Sequence, residues 1–223
     1  MNLETIAALA HRALQPVERP PALVLAASRE AGPNDLYYRF LYLLSTEMQA
    51  RTAIEIGTYR GASSAHLAGA SASVVTIDLN ADAARCVHEI GIDRITPVTA
   101  NSGFVLQDLV EAAKIRALAP YDILYIDGDH TFNSAYGDYA RFWPFVREGG
   151  IIVFDDIKLE MDGDEMRVFW DRVVDPKVEL DWLHETGFGA AIRGSVPPPS
   201  WGTIIADVTA EIRRRRAPRA PTR

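Results

Sequence analysis

The run Ala53-Ile54-Glu55-Ile56-Gly57-Thr58-Tyr59-Arg60-Gly61-Ala62-Ser63-Ser64 constrains this chain more than any other stretch. It reads as an apolar strand closing on an acid and a glycine, then a glycine-containing turn, then a helix that starts on small residues. Val74-Val75-Thr76-Ile77-Asp78 follows as a second strand, which also closes on an acid. Gly57 and Gly61 are expected to let the backbone approach a ligand, since a side chain there would fill the ligand's space. Asp78 comes 21 residues after Gly57, where an acid can hydrogen-bond both hydroxyls of a ribose. The two motifs together predict a nucleoside lying across the first two strands.

The glycine pattern selects which nucleoside. A dinucleotide turn is Gly-x-Gly-x-x-Gly, and the helix amides behind it hold a pyrophosphate. Here the order is Glu-x-Gly-x-x-x-Gly, with Glu55 where the first glycine would stand. A carboxylate there would repel a pyrophosphate and could suit the ammonium of an amino acid, directly or through water. That chemistry fits S-adenosylmethionine, which carries ribose and adenine but no phosphate. Taken alone, the first motif is equally an ordinary strand–turn–helix joint. Asp78 at its spacing favours the nucleoside.

The rest of the chain alternates in the same way. Strands are expected at 53–57, 74–78, 95–100, 121–126 and 150–155, and helices at 62–70, 81–90, 103–117, 133–146 and 165–174. Such alternation predicts a parallel sheet covered by helices on both faces. Ile123-Leu124-Tyr125-Ile126 and Ile151-Ile152-Val153-Phe154 suit strands buried on both sides. Short strands near 178–184 and 189–193, around Gly187-Phe188-Gly189, would add an antiparallel hairpin at one edge. The expected fold is therefore α/β, Rossmann-like and doubly wound, with a mostly parallel seven-stranded sheet. An N-terminal helical cap over 1–50 precedes the core at 51–195, and a C-terminal helix and basic tail fill 196–223, all in one structural domain. In the cap, Pro16 to Pro21 interrupt the helical pattern. Asn34 or Asp35 would cap a helix from Leu36 to Met48 that turns Leu36, Phe40, Leu43 and Leu44 to one side.

Composition narrows the partners. The 223 residues carry a net charge of −7, without the basic surplus of a nucleic-acid binder. Arg213-Arg214-Arg215-Arg216 is the exception, and a solvated, frayed terminus is its plainer explanation. A single cysteine, Cys86, rules out a disulfide within the chain and a cysteine-based metal site, and suits a small core residue. There is no signal-peptide pattern and no apolar run of membrane-spanning length, so the expected location is cytoplasmic, away from membranes.

A second constellation closes the fourth and fifth strands. Tyr125-Ile126-Asp127-Gly128-Asp129-His130 ends one and Phe154-Asp155-Asp156 ends the other. Parallel strands end on the same edge of a sheet, the edge where open α/β folds bind ligands. Neighbouring strands lie about 4.8 Å apart, so Asp127 and Asp155 can reach a common ion. Clustered acids without cysteine favour a hard cation such as Mg²⁺, with Asp127, Asp155 and Asp156 as ligands. Each acidic pair is by itself also explained as a tight turn or a helix cap.

Glu55 to Asp156 resembles the class I S-adenosylmethionine-dependent methyltransferases, and more narrowly the metal-dependent small-molecule O-methyltransferases. Catechol-type enzymes have an Asp at the end of strand four and an Asp-Asn pair after strand five. Asp127 fits that pattern, while Asp155-Asp156 departs from it at the last ligand. The Asp-Gly-Asp-His run with Asp-Asp is closer to a bacterial antibiotic-tailoring group that includes relatives of the macrocin O-methyltransferase and of cephalosporin hydroxylases. Met166-Arg167-Val168-Phe169-Trp170 and Gly187-Phe188-Gly189 resemble that group as well. The resemblance spans roughly residues 35 to 193.

It implies methyl transfer to a hydroxyl of a small molecule such as a sugar, polyketide or phenol. The cofactor would lie against Glu55, Gly57, Thr58, Tyr59, Gly61, Ser63, Asp78 and Asp127, with Asn101 and Ser102 bordering the adenine. A base beside the ion would take the acceptor's proton. His130 stands three residues beyond Asp127, where catechol-type enzymes carry a lysine base, and Asp129 matches an acid attributed to related sugar O-methyltransferases. A metal-independent methyltransferase and a non-catalytic nucleoside-binding subunit are the competing readings. The acceptor stays open, and so does a homo-oligomer.

Overall fold

The computed structural model describes residues 1–28, 35–69, 71–159 and 165–216. Along the chain the elements are α1 (Leu3–Ala13), α2 (Pro21–Ser28), α3 (Leu36–Glu47), β1 (Thr52–Ile56), α4 (Ala62–Ala68), β2 (Ser73–Asp78), α5 (Ala81–Ile90), β3 (Ile95–Thr99), α6 (Leu109–Leu118), β4 (Tyr121–Ile126), α7 (Phe132–Phe142), β5 (Val146–Asp155), α8 (Glu165–Arg172), β6 (Lys177–Glu179), β7 (Phe188–Ile192) and α9 (Trp201–Arg216). The seven strands form one sheet in the order β3-β2-β1-β4-β5-β7-β6. The first five are parallel, and β7 runs antiparallel to both β5 and β6. This is the Rossmann-like, mostly parallel sheet with an antiparallel edge that the alternation predicts.

The order places the site. From β1 the chain moves outward through β2 and β3, then crosses back to lay β4 on the other side of β1. Loops leaving β1 and β4 therefore diverge to opposite faces and leave a crevice between them, the usual ligand position in an open α/β sheet. Ile56 and Ile126 are register partners, so Gly57 and Asp127 emerge side by side at its mouth.

Both faces of the sheet are buried, as the continuous apolar runs require. Ile54, Val75, Leu124, Ile152 and Phe154 pack with residues of α6, α7, α8 and α9. The alternate residues, Ala53, Val74, Ile123, Tyr125, Ile151 and Val153, pack with α1, α3, α4 and α5. Phe40, Leu43 and Leu44 of α3 are buried there, so the expected N-terminal cap is part of the layer on this face.

Several boundaries differ from expectation. The stretch expected to be a helix from 103 begins with a 3-10 turn at Val105–Gln107, and α6 starts only where Asp108 caps it, accepting from the amides of Val110 and Glu111. α7 stops at Phe142 and gives way to a 3-10 turn, Trp143–Phe145, because Pro144 cannot donate to a continuing helix. β5 begins at Val146, earlier than 150. β6 is three residues long, so 180–184, expected as strand, is part of a loop. Asp35 makes no side-chain capping bond to α3 and pairs instead with Arg39 at 2.8 Å and with Arg19; Asn34 lies outside the described residues. The four arginines belong to α9, and two are paired: Arg215 with Glu211 at 2.8 Å and Arg216 with Glu165 at 2.6 Å. Two bonded arginines on a regular helix replace the frayed tail that their position suggests. Cys86 is half-buried on α5, beside the core positions Ala83 and Val87 and not in the core itself.

Candidate active site

The turn after β1 is shaped by protein contacts. A Cβ built on Gly57 would stand 1.9 Å from the carbonyl oxygen of Asp127, and one on Gly61 would meet Ile90 and Val87 of α5 at 3.0 and 3.2 Å. Both glycines have positive φ, +93° and +81°. Their freedom is therefore needed for strand–strand and helix–helix approach, which corrects the expectation that they make room for the ligand. Gly57 does line the crevice, whereas Gly61 faces α5.

Glu55 is also placed differently from expectation. It is fully buried beneath the turn, where its carboxylate accepts from the hydroxyls of Ser64 and Thr76. Thr76 Oγ1 lies 2.6 Å from Thr58 Oγ1 in turn. This buried polar chain braces the turn from below and does not line the crevice.

Above the turn, Asp78 is the organising acid. Its Oδ2 accepts from the amides of Thr58 and Tyr59, both at 2.9 Å, and its Oδ1 accepts from the amide of Asn80 at 2.8 Å. It lines a cavity of about 380 Å³ together with Gly57, Tyr59, Asn101, Ser102, Asp127, Gly128 and Asp129. Asn101 turns its side-chain oxygen to the amide of Gly103, which fixes the loop after β3.

A second cavity, of about 250 Å³, continues from the first. Gly57, Tyr59, Asp127 and Gly128 line both, and Tyr37, Tyr38, Thr58, Ser63 and His130 line the second alone. The predicted residues thus divide: Asp78, Asn101, Ser102 and Asp129 on one side, Thr58, Ser63 and His130 on the other.

The acids close the second side. The Tyr125 hydroxyl sits 3.0 Å from Asp127 Oδ2 and 3.1 Å from Asp155 Oδ2, tying the ends of β4 and β5. His130 Nε2 lies 2.8 Å from Asp156 Oδ2, a close ion-pair contact off the line of a good hydrogen bond. Burial, then the charges of Asp155 and Asp156, push Asp127 well above the ordinary carboxylate range. The contact with Asp156 raises His130. Burial alone would raise Asp156, yet His130 and Thr186 hold it lower. Asp156 also has a left-handed backbone, φ +57°, unusual for a residue with a side chain.

Two residues of this cluster escape sequence reasoning. His184 Nδ1 lies 2.8 Å from Asp155 Oδ1 and 3.6 Å from Asp156 Oδ1, and Thr186 donates to Asp156. Both sit in the loop between β6 and β7, where the sequence reads His184 as the end of a strand. A lone His between Leu183 and Glu185 carries no motif; the one available signal is that Gly187 ends the segment.

Asp127, His130 and Asp156 offer ligand atoms within 4.8 Å of one another, and so do Asp155, Asp156 and His184. The expected set Asp127, Asp155 and Asp156 is thus split, with Asp156 common to both groups and an imidazole in each. Carboxylates suit Mg²⁺, and the added nitrogen donors also suit Mn²⁺ or another transition ion. These residues fit a divalent cation. Asp129 stands apart, with Oδ1 accepting from the amide of Thr131 at 3.1 Å and Oδ2 from the Ser134 hydroxyl at 2.9 Å. It organises the start of α7 and lines the first cavity, whereas His130 lines the second.

A family profile described as a methyltransferase domain matches residues 54–157, the stretch that supplies β1 to β5, Asp78, the turn and the acids. Over those residues the chain is similar to the methyltransferase-domain family. Among curated relatives, the "Probable caffeoyl-CoA O-methyltransferase 3" of Dictyostelium discoideum is 32% identical over 127 residues, covering 53% of this chain and 49% of the relative. The catechol O-methyltransferase of Mycobacterium tuberculosis is 32% identical over 122 residues, covering 53% and 54%. The chain thus spans about half the length of the curated relatives it matches. Among solved structures, the O-methyltransferase from Bacillus cereus in complex with S-adenosylhomocysteine superposes with a TM-score of 0.59 at 21% identity, over 86% of this chain and 100% of that chain. That likeness shows the shared fold. Among the described residues, no helix is long and apolar enough to cross a membrane.

Proposed function

We propose that this chain moves a methyl group from S-adenosylmethionine to a hydroxyl of a small molecule with the help of a divalent cation. The observation that carries the reading is the continuity of two cavities through Gly57, Tyr59, Asp127 and Gly128, with a ribose-binding acid in one and a carboxylate–imidazole cluster beside the other. When bound, the cofactor supplies an already electrophilic methyl group, and a divalent cation on the acids lowers the pKa of the acceptor oxygen.

The chain's residues do the rest. Asp78 keeps lone pairs for the ribose hydroxyls after its three backbone bonds. Asn101 and Ser102 border the base, and Ser63 offers a hydroxyl to the amino-acid end, with Thr58 in the wall beside it. Asp155, Asp156 and His184 would hold the cation, with Asp127 beside them, which leaves the His130 imidazole free. His130 is the residue that accepts the hydroxyl proton, since it faces the second cavity and Asp156 stabilises its imidazolium. Asp129 is engaged at the α7 terminus and fits that task less well. The acceptor class stays broad: sugar, polyketide or phenol, with natural-product tailoring as the setting that the antibiotic-tailoring resemblance suggests. The negative net charge favours no nucleic acid as partner. A cytoplasmic location and a possible self-association complete the proposal.

One observation favours a metal-independent methyltransferase: His130 with Asp156 and His184 with Asp155 already form ion pairs within the protein. Chelation separates the two readings. EDTA should abolish turnover of S-adenosylmethionine with an accepted hydroxyl compound, and Mg²⁺ or Mn²⁺ should restore it. Full turnover in the chelator would leave the acids as purely structural groups.

A further inference from the structure

Tyr125 puts a hydroxyl where its strand needs only an apolar side chain. The residue is fully buried on the face covered by α1, α3, α4 and α5, with its ring centroid 6.2 Å from that of Phe188. Its companions on that face, Ile123 on β4 and Ile151 and Val153 on β5, are aliphatic. A buried hydroxyl is costly unless it is bonded. The two hydrogen bonds that the structure gives this one both run to acids of the cluster, 3.0 Å to Asp127 Oδ2 and 3.1 Å to Asp155 Oδ2. Strand pleating explains the meeting. Asp127 stands two residues beyond Tyr125, and Asp155 two beyond Val153, the register partner of Tyr125, so all four share one face. The strands need no such tie, being paired already from Ile123–Ile151 to Ile126–Phe154.

The bonds decide which carboxylate oxygens are free to turn. Asp155 Oδ1 accepts from the amide of Asp156 at 2.9 Å and lies 2.8 Å from His184 Nδ1, so this oxygen faces the other candidate ligands. Its Oδ2 is the one that Tyr125 holds. Among the described residues, Tyr125 is also the one hydrogen-bond partner shown for the Asp127 carboxylate. A carboxylate grips an ion through both oxygens only by turning its open edge toward it. An oxygen bonded to a hydroxyl that the core holds still resists that turn. Ions differ in what they ask of a carboxylate. Ca²⁺ takes about six to eight oxygens and readily accepts two from one carboxylate, whereas smaller ions such as Mg²⁺ and Mn²⁺ suit six ligands in an octahedron. We propose that Tyr125 is a positioning residue that limits Asp155 and Asp127 to one oxygen each, and so sets the site for a small six-coordinate cation against Ca²⁺. The inference rests on the cation reading of the cluster.

Tyr125→Phe keeps the ring and removes the hydroxyl. Calorimetric titrations of the chelator-stripped full chain with Mn²⁺ alone and with Ca²⁺ alone read the outcome without any turnover. The natural chain should bind Mn²⁺ more tightly than Ca²⁺ by about tenfold or more, and in Tyr125→Phe that ratio should fall by about tenfold, chiefly because Ca²⁺ binds more tightly. The His184 nitrogen favours Mn²⁺ in both chains alike, so the change in ratio belongs to the hydroxyl. Equal binding of the two ions by the natural chain overturns the proposal without using any variant. A folded Tyr125→Phe chain that keeps the natural ratio also overturns it, whether both affinities stand or both fall together, because the hydroxyl then only braces the acids. Failure of the natural chain to bind either ion would instead overturn the cation reading on which this rests.

Discussion

Replacing Gly57 by alanine tests the junction on which the whole site is built. Two effects add. At φ +93° the backbone is in a region that residues with a Cβ avoid, costing ~1–2 kcal/mol. The new Cβ would also stand 1.9 Å from the Asp127 carbonyl oxygen and 2.6 Å from its carbon. Both are backbone atoms, so no rotamer change relieves the contact. The ends of β1 and β4 must move apart by more than an ångström, against the 2.9 Å bonds from Asp127 N to Ile56 O and from Gly57 N to Ile77 O. Overpacking of this kind costs ~1–3 kcal/mol, and a lost backbone bond about 1 kcal/mol more. The expected loss is ~3–6 kcal/mol, a large part of the 5–15 kcal/mol typical of a domain. Gly91→Ala supplies the comparison. Gly91 has a similar φ of +73° with nothing within 4 Å of a built Cβ, so it carries the backbone cost alone, ~1–2 kcal/mol. Urea unfolding followed by far-UV circular dichroism gives both values at unchanged slope. If the two variants lose the same stability, the clash with Asp127 is not what demands glycine at 57.

Further expectations concern binding, catalysis and pH. Asp78→Ala should weaken S-adenosylhomocysteine binding at least tenfold by calorimetry, and should lower the melting temperature too, because three backbone amides lose their acceptor. Unchanged affinity in a folded variant would remove Asp78 from the nucleoside site. His130→Ala should lower kcat by ~10²–10⁴ with cofactor affinity kept, while Asp129→Ala should act mainly on stability; a large kcat loss confined to Asp129 would exchange the two roles. His66 gives a pH signature. It is fully buried, its Nδ1 lies 2.7 Å from the Ala62 carbonyl and its Nε2 2.8 Å from Arg19, which fits a neutral ring donating to the first and accepting from the second. Burial lowers it to about 4 from 6.5. The unfolded chain therefore takes up a proton first, so this residue's contribution is intact above pH 6.5 and is lost as pH falls toward 4, by up to ~3 kcal/mol. Urea titrations from pH 7 to 4 should show that slope, reduced in a folded His66→Gln; an identical slope would mean that His66 is not buried neutral.

The amino-acid sequence by itself determined the local pieces. Apolar runs closing on acids gave β1, β2, β4 and β5, because strands buried on both faces must be continuously apolar and their ends are where polar groups can emerge. Spacing gave Asp78, and the parallel order put Asp127, Asp155 and Asp156 on one edge. What a residue touches across the fold was not written in its neighbours along the chain. Gly57 and Gly61 read as ligand clearance, whereas their constraint comes from Asp127 on β4 and from α5, 70 and about 30 residues away in the chain. Glu55 had the position of a ligand-facing acid, but strand pleating turned it inward to Ser64 and Thr76. His184 and Thr186 carry no local pattern at all. Only the antiparallel return of β7 against β5 brings them to Asp155 and Asp156. Periodicity is a property of short segments and survives in the sequence. Contacts between segments depend on how elements cross and where a short strand such as β6 stops, and those are decided when the layers pack.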